Sequence, residues 1–208
     1  MRTLTKEIRD KLTPEQALDV LKRGNERFVN NLKAHRNLLE QINETSDGQY
    51  PFAAILSCMD SRTSAELIFD QGLGDIFSIR IAGNILNNDI LGSLEFATKV
   101  AGSKIILVLG HTKCGAITAA CDNIQMGSLT GLLGKIKLII ENEKETQFHR
   151  NGSNPDFVFN VTKLNVQTTI KKIRLQSSII SDLLNKGKIK LIGGLYNVDT
   201  GTVNFFGN

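Results

Sequence analysis

Residues 51–62 read PFAAILSCMDSR, and residues 104–115 read KIILVLGHTKCG. Phe52 to Ser57 is an unbroken run of small and apolar residues, too short for a helix and followed at once by polar ones. That is how a strand buried on both faces appears in sequence. Three more such runs follow, Ile76 to Ile81, Lys104 to Leu109 and Lys188 to Leu195. Asn88 to Val100 carries a helical pattern between the second and third, and the third runs straight into Gly110 and a helix opening near Cys114. The middle of the chain is therefore β-α-β-α-β, the pattern of parallel strands joined by crossover helices. Near the end, Asp199-Thr200-Gly201 separates two β-rich runs, Ile189 to Val198 and Thr202 to Phe206, which reads as a hairpin adding an antiparallel edge strand. The predicted class is α/β: a mostly parallel central sheet, four parallel strands plus that edge strand, flanked by helices.

Outside the sheet the signals are helical. Thr13 caps a helix with Pro14 at its first position and Gln16 completing a capping box, and Leu18, Leu21, Phe28 and Leu32 form its apolar face. Residues 1–45 are thus expected to be a helical arm, packing on the domain's own core or on a partner subunit. Residues 127–152 read as a polar, glycine-punctuated helical connector. A long helix follows, capped by Asn154 with Pro155 behind it, with Val166, Ile170, Ile173, Ile180 and Leu184 on one face. No internal repeat or linker divides the chain, and 208 residues fit a single domain over 1–208.

Composition excludes several classes. With 41% hydrophobic and 22% charged residues, the chain is neither disordered nor fibrous. The net charge of +4 comes from scattered basic residues, Lys171-Lys172 being the densest pair, so no nucleic-acid partner is expected. No apolar run approaches the roughly 18 residues of a membrane span, and MRTLTKEIRDKL lacks the apolar stretch of a secretory signal. The expected location is the cytoplasm, or the periplasm for a chain whose leader has been removed. Three cysteines are too few and too odd in number for a disulfide framework in a chain this large, which leaves metal or thiol chemistry.

Cys58-Met59-Asp60-Ser61-Arg62 follows the first strand directly, and His111-Thr112-Lys113-Cys114-Gly115 follows the third. Ligands of open parallel sheets bind at the carboxyl ends of the strands, so these segments are placed to converge. Any one of Cys58, His111 or Cys114 alone reads as a buried packing residue. Together, two cysteines and a histidine make a catalytic rather than a structural zinc pattern, since the fourth position is left for water or substrate. Sulfur ligands favour zinc over magnesium or calcium. Cys121 lies two helical turns past Cys114, too far to share one metal, and is expected to pack. His35 and His149 lie in polar stretches and are expected in solvent. No G-x-G-x-x-G follows the first strand and no G-x-x-x-x-G-K-[ST] occurs, which disfavours a nucleotide-binding module.

Cys-x-Asp-x-Arg followed by His-x-x-Cys resembles the β class of carbonic anhydrases, and the resemblance runs from the amino-terminal helix through the closing hairpin. It implies a zinc enzyme that interconverts carbon dioxide with bicarbonate and a proton by attack of zinc-bound hydroxide. Position by position it makes Cys58, His111 and Cys114 the ligands of one Zn²⁺ per chain, and Asp60 and Arg62 the family's catalytic Asp-Arg pair. Two thiolates and a neutral imidazole cancel the charge of the ion, so its water needs help to ionise. Asp60 would accept a hydrogen bond from the hydroxide, with Arg62 keeping that carboxylate charged and oriented. In some members the matching aspartate moves onto zinc at low pH, which makes Asp60 a fourth ligand in a closed state. Gln49, nine residues before Cys58, and Phe77, nineteen after it, match substrate-pocket residues of plant-type members, and the Gly115 N–H is a further candidate for the substrate oxygens. In that family the glutamine comes from a neighbouring subunit, so a homodimer or larger homo-oligomer is implied. Some bacterial members carry a tryptophan three residues before the first zinc cysteine, in a noncatalytic bicarbonate site. Ile55 stands there in this chain, which implies no bicarbonate inhibition of that kind. The rival activities are hydrolysis of carbon disulfide or carbonyl sulfide at the same zinc, and a noncatalytic zinc-binding module.

Overall fold

The computed structural model describes residues 3–207. Five strands form one sheet: β1 (Ala53–Ser57), β2 (Ile76–Arg80), β3 (Ile105–His111), β4 (Lys190–Tyr196) and β5 (Val203–Phe206), in the order β2-β1-β3-β4-β5. The first four are parallel neighbours and β5 runs antiparallel to β4, as the hydrophobic runs predict. Every residue of β1 and β3 is buried, which explains why both read as continuous apolar runs rather than alternating ones.

The helices are α1 (Lys6–Lys11), α2 (Pro14–Val29), α3 (Leu38–Thr45), α4 (Ala65–Ile68), α5 (Asn88–Glu95), α6 (Gly115–Cys121), α7 (Gly127–Asn142), α8 (Pro155–Gln176) and α9 (Ser178–Asn185), and several of them cover the two faces of the sheet. Alternate side chains of a strand point to opposite faces. Ala53, Ile55, Leu107 and Leu109 accordingly meet Ala17 and Leu21 of α2. Ala54, Ile106 and Val108 meet Leu94, Val166, Ile173 and Ile180 on the other face. Leu21 is fully buried, and Leu21→Ala would cost about 2–5 kcal/mol.

Helix α2 starts with the predicted Thr13–Gln16 capping box, complete in both directions. Its buried face is used within its own chain. Asn25 donates to the carbonyls of Ile68 (3.2 Å) and Gly201 (2.9 Å) and accepts from the N–H of Val203 (2.8 Å). Leu32 does not belong to this face: the helix ends at Val29, Asn31 turns through φ 55°, and Leu32 is exposed.

Three helices differ from the periodic reading. The long helix breaks at Ser177, whose extended backbone ends α8 while its Oγ accepts from the Ile180 N–H (3.1 Å) to start α9. The same hydroxyl donates to Glu95 at 2.5 Å, tying the break to α5. The segment 88–100 is α-helical to Glu95 and closes in a π turn over Phe96–Val100. The connector is helical only as α7; beyond it the buried Glu143 carboxylate pairs with Arg150, which also donates to the carbonyls of Ile140 and Glu143. Among the described residues, no helix is long and apolar enough to cross a membrane.

Candidate metal centre

Strands β1 and β3 are parallel neighbours with Ser57 opposite Leu109, so the residues that leave their carboxyl ends emerge at one edge of the sheet. Cys58 is the first residue past β1, His111 the last of β3, and Cys114 the cap of α6. Between the latter two, Lys113 adopts φ 56°, which folds the chain back so that His111 and Cys114 face one point. Thr112 anchors this turn to β4, its N–H donating to the Tyr196 carbonyl (2.9 Å) and its Oγ1 accepting from the Val198 N–H (3.0 Å).

Cys58, His111 and Cys114 are buried, and one ligand atom from each lies within 4.8 Å of the others. The two sulfurs are 3.9 Å apart, whereas sulfurs bound about 2.3 Å from a tetrahedral zinc would be about 3.8 Å apart. His111 Nδ1 lies 2.9 Å from the Thr112 carbonyl, which fixes that nitrogen as the donor, and its buried Nε2 makes no hydrogen bond of normal length among the described residues. A carbonyl-held imidazole with its other nitrogen free is the usual arrangement of a metal-ligating histidine. The site fits a zinc-sized, thiophilic divalent cation.

The thiols behave as one pair. Hydrogen bonding from Cys114 pushes the Cys58 thiol well down, with His111 and the Gly83 N–H acting in the same direction, while the bond to Cys58 pushes Cys114 up. A bound cation would take the place of the thiol protons.

Asp60 and Arg62 sit at the rim. Arg62 Nε donates to Oδ1 at 2.9 Å and Nη2 to Oδ2 at 2.8 Å, a bidentate pair reinforced by the Arg62 N–H on Oδ1 at 2.9 Å. These bonds to Arg62 hold the Asp60 carboxyl well below the usual carboxylate range, against partial desolvation. Arg62 also reaches the Lys113 carbonyl (3.3 Å), linking the two motifs, and Asp60 Oδ2 stands 4.0 Å from His111 Nε2.

The remaining candidates are dispersed. Gly115 opens α6 beside Cys114, and nothing lies within 4 Å of where a Cβ would project. Gln49 is exposed and precedes β1, at the opposite end of that strand from Cys58. Phe77 pairs in register with Ala54, packs edge-on against Phe96 (centroids 6.3 Å apart) and lines a cleft with Asn88 and Gly92. Within one chain neither Gln49 nor Phe77 meets the three ligand residues. Cys121 is half-buried, and burial pushes its thiol up to about 11, consistent with packing; His35 and His149 are exposed.

Two residues at the centre carry no motif signal. Arg80 at the end of β2 donates to the carbonyls of Cys58 (Nε, 3.1 Å) and Asp60 (Nη2, 2.5 Å). Thr63 Oγ1 lies 3.0 and 2.9 Å from the same two oxygens.

Residues 53–203 match the family model described as carbonic anhydrase. The chain is 36% identical over 189 residues to carbonic anhydrase 2 of Mycobacterium tuberculosis, covering 90% of each chain. It is 32% identical over 191 residues to the carbonic anhydrase of Mycolicibacterium smegmatis, covering 91% of this chain and 92% of that one. Among solved structures, a β-carbonic anhydrase of Aspergillus fumigatus superposes with a TM-score of 0.72 at 25% identity, over 81% of both chains. One of two tetrameric β-carbonic anhydrases of Sordaria macrospora shares the fold with a TM-score of 0.72 at 23% identity, over 80% of this chain and 86% of that one. Sequence match, fold and the Cys58–His111–Cys114 cluster agree, and the chain belongs to the β class of the carbonic anhydrase family.

Proposed function

We propose that this chain catalyses the zinc-dependent, reversible hydration of carbon dioxide to bicarbonate and a proton. The observation that carries the reading is the buried Cys58–His111–Cys114 cluster with the Asp60–Arg62 pair at its rim. Zinc held by three protein ligands acidifies a water at its open position and supplies a nucleophile near neutral pH.

The chain's own residues do the rest. His111 is held in one tautomer by the Thr112 carbonyl, so Nε2 is the ligand atom. Asp60, kept ionised by Arg62, is an acceptor only, and it orients whatever O–H is presented at the metal. Displacing Asp60 from Arg62 is the movement by which it would become a fourth ligand. Gly115 opens α6 directly after Cys114, and its N–H is the donor offered to a substrate oxygen. Gln49 and Phe77 reach such a site only from a second copy, which makes the active unit a homodimer or larger homo-oligomer. Exposed Leu38, Leu39 and Ile42 on α3 give residues 1–45 an apolar surface for that partner, and the tetrameric Sordaria relatives are consistent with it.

The test is stopped-flow carbon dioxide hydration with a pH indicator in alkaline buffer, on protein of known zinc content. A rate far above buffer that vanishes in Cys58→Ser is the expected result. No rate at one zinc per chain, with turnover of carbon disulfide instead, would overturn the assignment of substrate.

A further inference from the structure

After β2 the chain turns at two successive residues in the left-handed region, Gly83 at φ 66° and Asn84 at φ 42°. Such a conformation costs free energy at Asn84 and persists only where its surroundings enforce it. The turn is gripped on the α6–α7 side: a Cβ on Gly83 would meet Ile136 Cδ1 at 3.1 Å and Ala116 Cβ at 3.5 Å. What it delivers is the Gly83 N–H, which donates to Sγ of Cys58 at 3.3 Å. The carbonyl of Gly83 accepts from Nδ2 of Asn165 at 2.8 Å, across 82 residues of sequence. Asn165 is 1% exposed on α8, a buried amide whose described bond goes to this turn rather than to its own helix.

We infer that Asn165 is a positioning residue of the metal centre: by anchoring the Gly83 carbonyl, on the peptide after that residue, it holds the turn whose preceding peptide makes the N–H···S bond to Cys58, and so sets how much electron density that sulfur gives a bound cation. The inference rests on Cys58 being a metal ligand. Hydrogen-bond partners behind a ligand orient it and tune it, and losing one typically changes metal affinity or activity ten- to a hundredfold. An aliphatic side chain at 165 would leave the Gly83 carbonyl buried without its donor and the turn free to rotate its N–H off the sulfur.

Asn165→Leu keeps the approximate volume and removes the amide, and Asn165→Ala removes it with no risk of overpacking. Ile173→Val, buried two turns along the same helix, is the control that loosens packing without touching Gly83. Two readouts are independent of turnover: the sulfur-to-cobalt charge-transfer band of the cobalt-substituted protein, and the rate at which zinc passes to a chelator. Both Asn165 variants should shift the band and speed zinc release by about tenfold, while Ile173→Val lowers the melting temperature and moves neither. An unshifted band and unchanged release in a folded Asn165 variant would overturn the proposal, as would equal changes in Ile173→Val. Wild-type protein that binds cobalt without any sulfur charge-transfer band would overturn the metal assignment itself.

Discussion

The two ends of β1 carry different kinds of information. At its carboxyl end, Cys58, Asp60 and Arg62 meet His111 and Cys114 inside a single chain, closed by the bonds from Arg62 to Asp60 and to the Lys113 carbonyl. At its amino end, Gln49 stands exposed, and Phe77 three residues before the end of β2 faces Phe96 instead of the metal ligands. The first group is a compact constellation; the second lies away from the three ligand residues of its own chain. A metal centre can be assembled by the topology of one sheet, whereas the intersubunit pocket proposed for Gln49 and Phe77 would take shape only with a second copy.

The largest effect should come from breaking the finished end. Cys58→Ser replaces a thiolate by a poor ligand, and zinc content should fall to near zero with turnover at background; full occupancy by metal analysis would remove Cys58 from the ligand set. Arg62→Ala should keep the zinc and lose about 10²–10³ in kcat, the usual cost of one preorganised charge-stabilising group. Near-normal turnover in that variant would break the role given to the Asp60–Arg62 pair.

The unfinished end is sharpened by mixing. Gln49→Ala should lower kcat/KM by about tenfold, the scale of one lost hydrogen bond to substrate. Co-assembly of Gln49→Ala chains with Cys58→Ser chains should recover activity, because each mixed pair contains one intact site if Gln49 acts across the interface. Mixtures that give only the average of the parents would confine Gln49 to its own chain.

Two smaller effects concern the surroundings. Ile55, fully buried against the α2 side of the sheet, stands where the family resemblance would place the tryptophan of a noncatalytic bicarbonate site. Steady-state assays should show no cooperative bicarbonate inhibition, and its appearance would overturn that reading. The depressed Asp60 carboxyl contributes stability that is fully present above the ordinary value of about 4 and lost as pH falls below it. With Arg62 half in solvent, the loss should be about 1 kcal/mol or less. Acid unfolding of Asp60→Asn against the parent measures it, and an equal gap between the two at every pH would contradict it.

The sheet was legible because β1 and β3, buried on both faces, leave unbroken apolar runs, and because both motifs sit on contiguous residues just past them. Helix ends were less so. Ser177 breaks a periodic pattern by capping, and nothing in the spacing of Ile173 and Ile180 records it. Leu32 kept the helical spacing after the helix had ended at Val29. Arg80 and Asn165 were beyond reach for another reason: each acts on backbone atoms, 22 and 82 residues away, and backbone acceptors carry no side-chain signature.

The proposed metal centre requires Cys58, His111 and Cys114 to hold a zinc ion with one position open. X-ray absorption at the zinc edge of the purified chain tests it most directly. Two sulfur and one nitrogen scatterers plus a single light atom from solvent are expected, with one zinc per chain. A shell with three sulfurs would bring in Cys121, and a shell of only nitrogen and oxygen would move the metal elsewhere; either would contradict the site described.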